Sequence, residues 1–210
     1  MSNAYILSLD DSAERAVNAK QILDRLSFKV FHCEVIPHEE KSFSNRLSML
    51  NIMKLITSKR NKWSYVFEDD IQFWEYIGPK KLKHFEKASK NFFYLGACSE
   101  TPPTKTKEKI LDISAYRFQT NKVGCSHAFA ISREGAKLVL EKAKDFDESV
   151  NFDEILSTLF ASEKPLVVMN EESGNVSYQN KDHYGLVFQD KFAFSSNPPK
   201  DIPNVSIHIN

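Results

Sequence analysis

The sequence predicts an α/β fold: a mostly parallel central sheet flanked by helices, in a single domain over residues 1–210 that is either a whole protein or one domain of a longer one. Three observations lead there. The chain opens on an apolar run of strand length, Ala4-Tyr5-Ile6-Leu7-Ser8-Leu9. Apolar residues then recur at helical spacing (Ala13, Ala16, Val17, Ala19, Leu23, Leu26), and strand-like Phe28-Lys29-Val30-Phe31 and Val35-Ile36 follow. Strand, helix and strand in succession form a βαβ unit, whose crossover makes its two strands parallel. The chain has 210 residues, 41% of them hydrophobic, which is long and apolar enough to bury a substantial core.

The remaining elements follow in order. Asp11, three residues before Glu14, fits a capping box at the start of the first helix. Ser44 to Ser58 reads as a helix with Leu47, Leu50, Met53 and Ile56 on one face. Trp63 to Ile71 reads as one strand carrying Glu68-Asp69-Asp70, and Pro79 suits the first turn of a helix through Leu82, Phe85 and Ala88. Phe92 to Gly96 is a further apolar strand. Ser99 to Lys109 has two prolines, three threonines and no hydrophobic residue, which predicts an exposed loop, either a lid or a solvated connector. Strands are expected over Ala115–Thr120 and Ser126–Ile131, a helix capped by Ser132, a helix over Phe152–Phe160, a strand over Leu166–Met169, and an irregular tail.

Bulk properties narrow the function. Basic and acidic residues balance at 28 each, without the basic excess that general nucleic-acid binding needs. Three cysteines (Cys33, Cys98, Cys125) in no close spacing argue against a disulfide framework and a zinc knuckle, so a reducing, cytoplasmic setting is expected. No window is long and apolar enough to form a transmembrane segment.

The chemistry concentrates at Glu68-Asp69-Asp70, where an apolar strand ends in three acids. Adjacent carboxylates repel one another and are costly to bury without a counter-charge. Hard divalent ions, Mn²⁺ or Mg²⁺, take such oxygen ligands and share them with substrate phosphates. In open α/β sheets ligands bind at the carboxyl ends of strands, where this cluster falls. Alternation along a strand puts Glu68 and Asp70 on one side and Asp69 on the other, favouring Asp70 as the metal ligand. An exposed acidic turn is the plainer alternative.

Five stretches in order resemble glycosyltransferase family 25, the lipooligosaccharide and collagen galactosyltransferase type, over about residues 4 to 160. They are Tyr5-Ile6-Leu7-Ser8-Leu9-Asp10 with Arg15, Val66-Phe67-Glu68-Asp69-Asp70-Ile71, Phe93-Tyr94-Leu95-Gly96, Ser126 to Ala136 (SHAFAISREGA), and Val150-Asn151-Phe152-Asp153. The resemblance implies a GT-A nucleotide-sugar-binding domain and a hexosyltransferase that moves a sugar from a UDP-sugar to a hydroxyl of a glycan or glycoconjugate, with inversion. It implies that Ser8, Leu9, Asp10 and Arg15 hold base and ribose, that Glu68 and Asp69 place ribose or sugar, and that Asp70 binds Mn²⁺ or Mg²⁺. A late histidine, His183 or His208, would add a metal ligand, with His183 preferred. His127 would bond a sugar, Trp74 and Tyr76 would stack on one, and Asp153 or, second, Glu154 would be the general base. The family's Ser-His pair before the metal strand is here Ser48-Met49, which leaves Asn45 and Arg46 as the nearby polar candidates for donor binding.

Two other readings stay open. A metal-dependent nucleotidyltransferase would carry a Gly-rich or Lys/Arg-rich phosphate loop, and none of the six glycines forms such a cluster. A catalytically silent α/β interaction module would keep the fold alone.

Overall fold

A computed structural model of the chain describes residues 2–11, 13–73, 77–99, 105–110, 113–118, 124–169, 176–178, 181–185 and 187–189. Strand β1 (Asn3–Ser8), helix α1 (Glu14–Arg25) and strand β2 (Lys29–Glu34) form the βαβ unit that the N-terminal pattern predicts. Helix α2 (Lys41–Ser58) leads into β3 (Trp63–Glu68), a turn at Asp69-Asp70, and the short β4 (Ile71–Phe73). Helix α3 (Pro79–Ala88), β5 (Phe92–Ser99), β6 (Lys105–Ile110), β7 (Ile113–Phe118) and β8 (Gly124–Ser132) follow. Helices α4 (Arg133–Lys142) and α5 (Phe152–Phe160) precede β9 (Leu166–Met169), β10 (Val176–Tyr178), β11 (Lys181–Gly185) and β12 (Val187–Gln189).

The main sheet runs β2-β1-β3-β8-β5-β9-β7-β6, with β11 also on β5 and β10 on β11; β12 and β4 pair separately. It is mixed. The β2-β1-β3 end is parallel, in register from Asn3 opposite Ser64 to Leu7 opposite Glu68, as is the β5–β9 pair, whereas β8 runs antiparallel to both β3 and β5.

Side-chain alternation divides the core into two layers. Ala4, Ile6, Tyr65 and Phe67 face one way and pack with Leu23 of α1 and Phe85 of α3. Tyr5, Leu7, Val66, Tyr94 and Phe129 face the other way, against Met49 and Ile52 of α2, Val139 of α4 and Phe152 and Leu156 of α5. Fully burying each such side chain contributes about 1.5–3 kcal/mol.

Several expectations need correction. The strand expected over Trp63–Ile71 breaks in a turn at Asp69-Asp70, where the Asp69 carboxylate bonds Ser8 and pairs with Arg15. The loop expected over Ser99–Lys109 contains β6, whose Lys105 to Ile110 pair with Phe118 to Ile113 of β7. Backbone pairing with an apolar neighbour there outweighs the polar composition. The tail is not wholly irregular, since β11 adds to β5 with His183 opposite Cys98. Ala13 takes the N-cap position of α1 with no side-chain cap, so the box expected from Asp11 and Glu14 does not form. Cys98 and Cys125 are joined in a disulfide with their Cα atoms 5.4 Å apart, although the odd count and wide spacing of the cysteines speak against a disulfide framework. Neighbouring antiparallel strands bring together two residues 27 apart in sequence. Among the described residues no helix is long and apolar enough to cross a membrane.

Candidate functional site

The C-terminal ends of β1 and β3 lie side by side, and the site is built on that edge. Glu68 has the parity of Val66, so it points towards the layer of α2 and α5. There Asn45 Nδ2 of α2 donates to Glu68 Oε1 at 3.3 Å. Burial raises the Glu68 carboxyl to about 7; the charge of Asp70 adds to this, the Asn45 bond opposes it, and Asp69 and Asp153 contribute further repulsion. Asp69 and Asp70 are both buried. Asp69 turns to the opposite layer, where its Oδ2 lies 2.7 Å from the Ser8 hydroxyl and its Oδ1 3.4 Å from Arg15 Nη2. The acidic triplet is therefore shared between two faces, with Arg15 steadying the middle acid.

Asp153 joins the cluster from a distant part of the chain. It sits in the first turn of α5, where the helix dipole favours a negative charge. The buried Phe152, Ile155, Leu156 and Phe160 anchor that helix. Asp153 Oδ2 accepts the backbone N–H of Cys125 at 3.0 Å. A Cβ added at Gly124 would stand 3.4 Å from the same oxygen, so the start of β8 fits closely around this carboxylate. Burial, then the Asp153 charge, holds the Tyr94 phenol well above its ordinary range.

The other candidates fall in distinct places. Leu9 is 75% exposed and Asp10 is also exposed, just beyond β1. The buried His127 has the parity of Phe129 and continues β8 one position past the Phe67–Ala128 pair, beside the Glu68 end of β3. Glu154 is exposed. Arg46, expected near the donor, is buried and turns elsewhere. Its guanidinium donates to the carbonyls of Ala143 (2.9 Å), Phe146 (3.2 Å), Val150 (3.1 Å) and Asp147. It braces the segment leading into α5. Only the backbone of His183 is described, and Trp74, Tyr76 and His208 lie outside the described residues.

No protein-family model matches the chain, and no curated protein matches it. Its fold is similar to a glycosyltransferase involved in the glycosylation of the major capsid of PBCV-1, at 11% identity and a TM-score of 0.46, over 75% of this chain and 73% of that one. It is also similar to the inositol-1-phosphate CTP transferase from T. maritima, at 11% identity and a TM-score of 0.37, over 77% of this chain and 82% of that one.

Among the described residues no group of three or more His, Cys, Asp and Glu side chains is arranged to hold a metal ion. A Mg²⁺ or Mn²⁺ site needs only one or two carboxylates when substrate phosphates complete the shell. The oxygens of Glu68, Asp69 and Asp70 are of the hard type such ions take, and burial first, then the neighbouring Asp70 charge, pushes the Glu68 carboxyl up to about 7. Residue patterns do not reveal the bond from Ser8 to Asp69 or the contact of Cys125 and Gly124 with Asp153. Each of these joins positions far apart in sequence. The one available signal was that the predicted strands around Cys98 and Cys125 could lie side by side.

Proposed function

We infer that this chain is a metal-dependent glycosyltransferase that moves a hexose from a UDP-sugar to a glycan or glycoconjugate hydroxyl with inversion. The observation that carries this reading is the clustering of carboxylates at the end of β3, where Glu68 takes charge repulsion from Asp70, Asp69 and Asp153 while Asp69 is bonded to Ser8 and paired with Arg15. One cluster would then offer a cation site for a diphosphate and a further carboxylate, Asp153, for proton transfer.

The exposed Leu9 and Asp10, with Ser8 and Arg15, are positioned to receive base and ribose. Arg15 keeps a 40% exposed side chain while bridging Asp69, so its planar fork can also meet a substrate oxygen. Asp70, with Glu68 beside it, would hold Mn²⁺ or Mg²⁺, and His183 is the candidate for a further ligand. The bound ion would supply Lewis-acid neutralisation of the departing diphosphate. Asn45 orients Glu68 towards that side, and His127 lies close enough along β8 to bond a sugar hydroxyl. Asp153, fixed by the Cys125 N–H, would accept the proton of the acceptor hydroxyl on the face opposite the leaving group.

The test is Mn²⁺-dependent hydrolysis and transfer across a panel of UDP-sugars. One donor at least is expected to turn over, and Asp153→Asn should lower transfer roughly a hundredfold, the scale of a lost general base, while UDP still binds. No turnover and no binding of any donor would contradict the reading.

A further inference from the structure

We propose that the Cys98–Cys125 disulfide is a thiol-exchange site that controls the placement of Asp153, opened by a dithiol reductant of the thioredoxin class. Its catalytic consequence rests on the function inferred above; its structural consequence does not.

Three observations join the disulfide to the carboxylate. Cys125 supplies both the sulfur bonded to Cys98 and the N–H donated to Asp153 Oδ2 at 3.0 Å. Its φ is +61°, a left-handed conformation that a non-glycine residue holds only when its surroundings impose it. A Cβ on the preceding Gly124 would stand 3.4 Å from Asp153 Oδ2 and 3.9 Å from Cys98 Sγ, so carboxylate and disulfide close around the same piece of backbone. The β5–β8 ladder is also irregular here, shifting register between Gly96 and Cys98. The covalent link therefore ties β5 to β8 where their ladder is irregular.

Cys98 is buried and Cys125 half-buried, which directs an incoming thiolate to the Cys125 sulfur. That attack forms a mixed disulfide with Cys125 and expels Cys98 as a thiolate, which takes a proton. The second thiol of the reductant then attacks the mixed disulfide and releases Cys125. The dithiol loses two electrons and two protons and becomes a disulfide, while the chain gains two thiols. Freed of the cross-link, Cys125 can return to negative φ, which swings its N–H away from Asp153. Cys33 is buried and remote from this exchange.

The experiment compares the full chain air-oxidised and after dithiothreitol, measuring Cys125 amide hydrogen exchange and steady-state transfer kinetics. On reduction the Cys125 amide is expected to exchange at least about tenfold faster. For the transferase, kcat should fall by about tenfold, a partial loss of general-base assistance, while KM for the UDP-sugar stays within about twofold. Reoxidation should restore both, and a Cys98→Ser/Cys125→Ser double variant should behave as the reduced protein without any reductant. Equal amide exchange in the two states, or a failure to find the disulfide by mass after alkylation, overturns the proposal. Faster exchange on reduction in a protein that turns over no sugar nucleotide would sustain the redox-controlled anchoring of Asp153 and defeat the transferase reading instead.

Discussion

Glu68 is the residue whose charge the fold opposes most clearly. Its carboxyl rises from an ordinary value of 4.5 to about 7, mainly through burial and then through Asp70. A group raised in this way stabilises the fold fully below its unfolded value, and that contribution is lost as pH rises through the folded value. The metal-free protein should therefore lose stability between about pH 5 and pH 8. Glu68→Gln should lose less, and at pH 8 should be the more stable by on the order of 1–3 kcal/mol. Denaturant unfolding in EDTA at the two pH values measures this, and an identical pH slope in both proteins would refute it. Much of the residue scale was legible in the sequence. The triplet announces itself as three acids ending an apolar run, but alternation reaches only to Glu68, where β3 ends, and a turn carries Asp69 to the other side. The partner of Asp69 was not legible, because Ser8 lies 61 residues away and only the parallel register of β1 and β3 brings it close.

The elements around the site are held by a few directional contacts. Arg46 on α2 ties down four carbonyls between Ala143 and Val150, while its neighbour Asn45 holds Glu68, so one helix positions both halves of the site. Arg46→Ala leaves those acceptors unsatisfied and should cost roughly 2–4 kcal/mol, read as a lower denaturation midpoint, with Arg46→Lys recovering only part of it. At the start of α4, Ser132 accepts the Gly135 N–H at 2.9 Å. A Cβ on Gly135 would come within 2.9 Å of the Asn91 carbonyl and 3.0 Å of Ile131. Gly135→Ala should accordingly destabilise by about 1–3 kcal/mol in thermal unfolding, although alanine favours helices, because backbone has to move. The Ser132 cap and the bounds of α5 and β9 were readable because cap chemistry or an uninterrupted apolar run set them locally. The start of α1 was not, since packing of Ala16 and Ala19 fixes that helix without the capping box its sequence offers. The β6–β7 hairpin escaped notice for a related reason: its pairing lies in the backbone, and the Lys- and Thr-rich side chains hide it.

At the scale of the whole molecule, a mixed sheet with helices on both faces collects the acids at one edge. The parallel end of that sheet was visible in the βαβ pattern. The insertion of antiparallel β8 between β3 and β5 was not, because strand order depends on contacts between distant segments that no local pattern encodes. Yet that insertion brings His127 beside the end of β3 and Cys125 against Asp153. The central claim is that this edge binds a nucleoside diphosphate through a divalent cation held at Asp70. Calorimetric titration of UDP into the protein, with and without Mn²⁺, and into Asp70→Asn, tests it most directly. The account predicts binding that requires Mn²⁺ and weakens at least about tenfold, about 1.4 kcal/mol, in the variant. UDP binding of equal strength without the metal, or unchanged by Asp70→Asn, would contradict it.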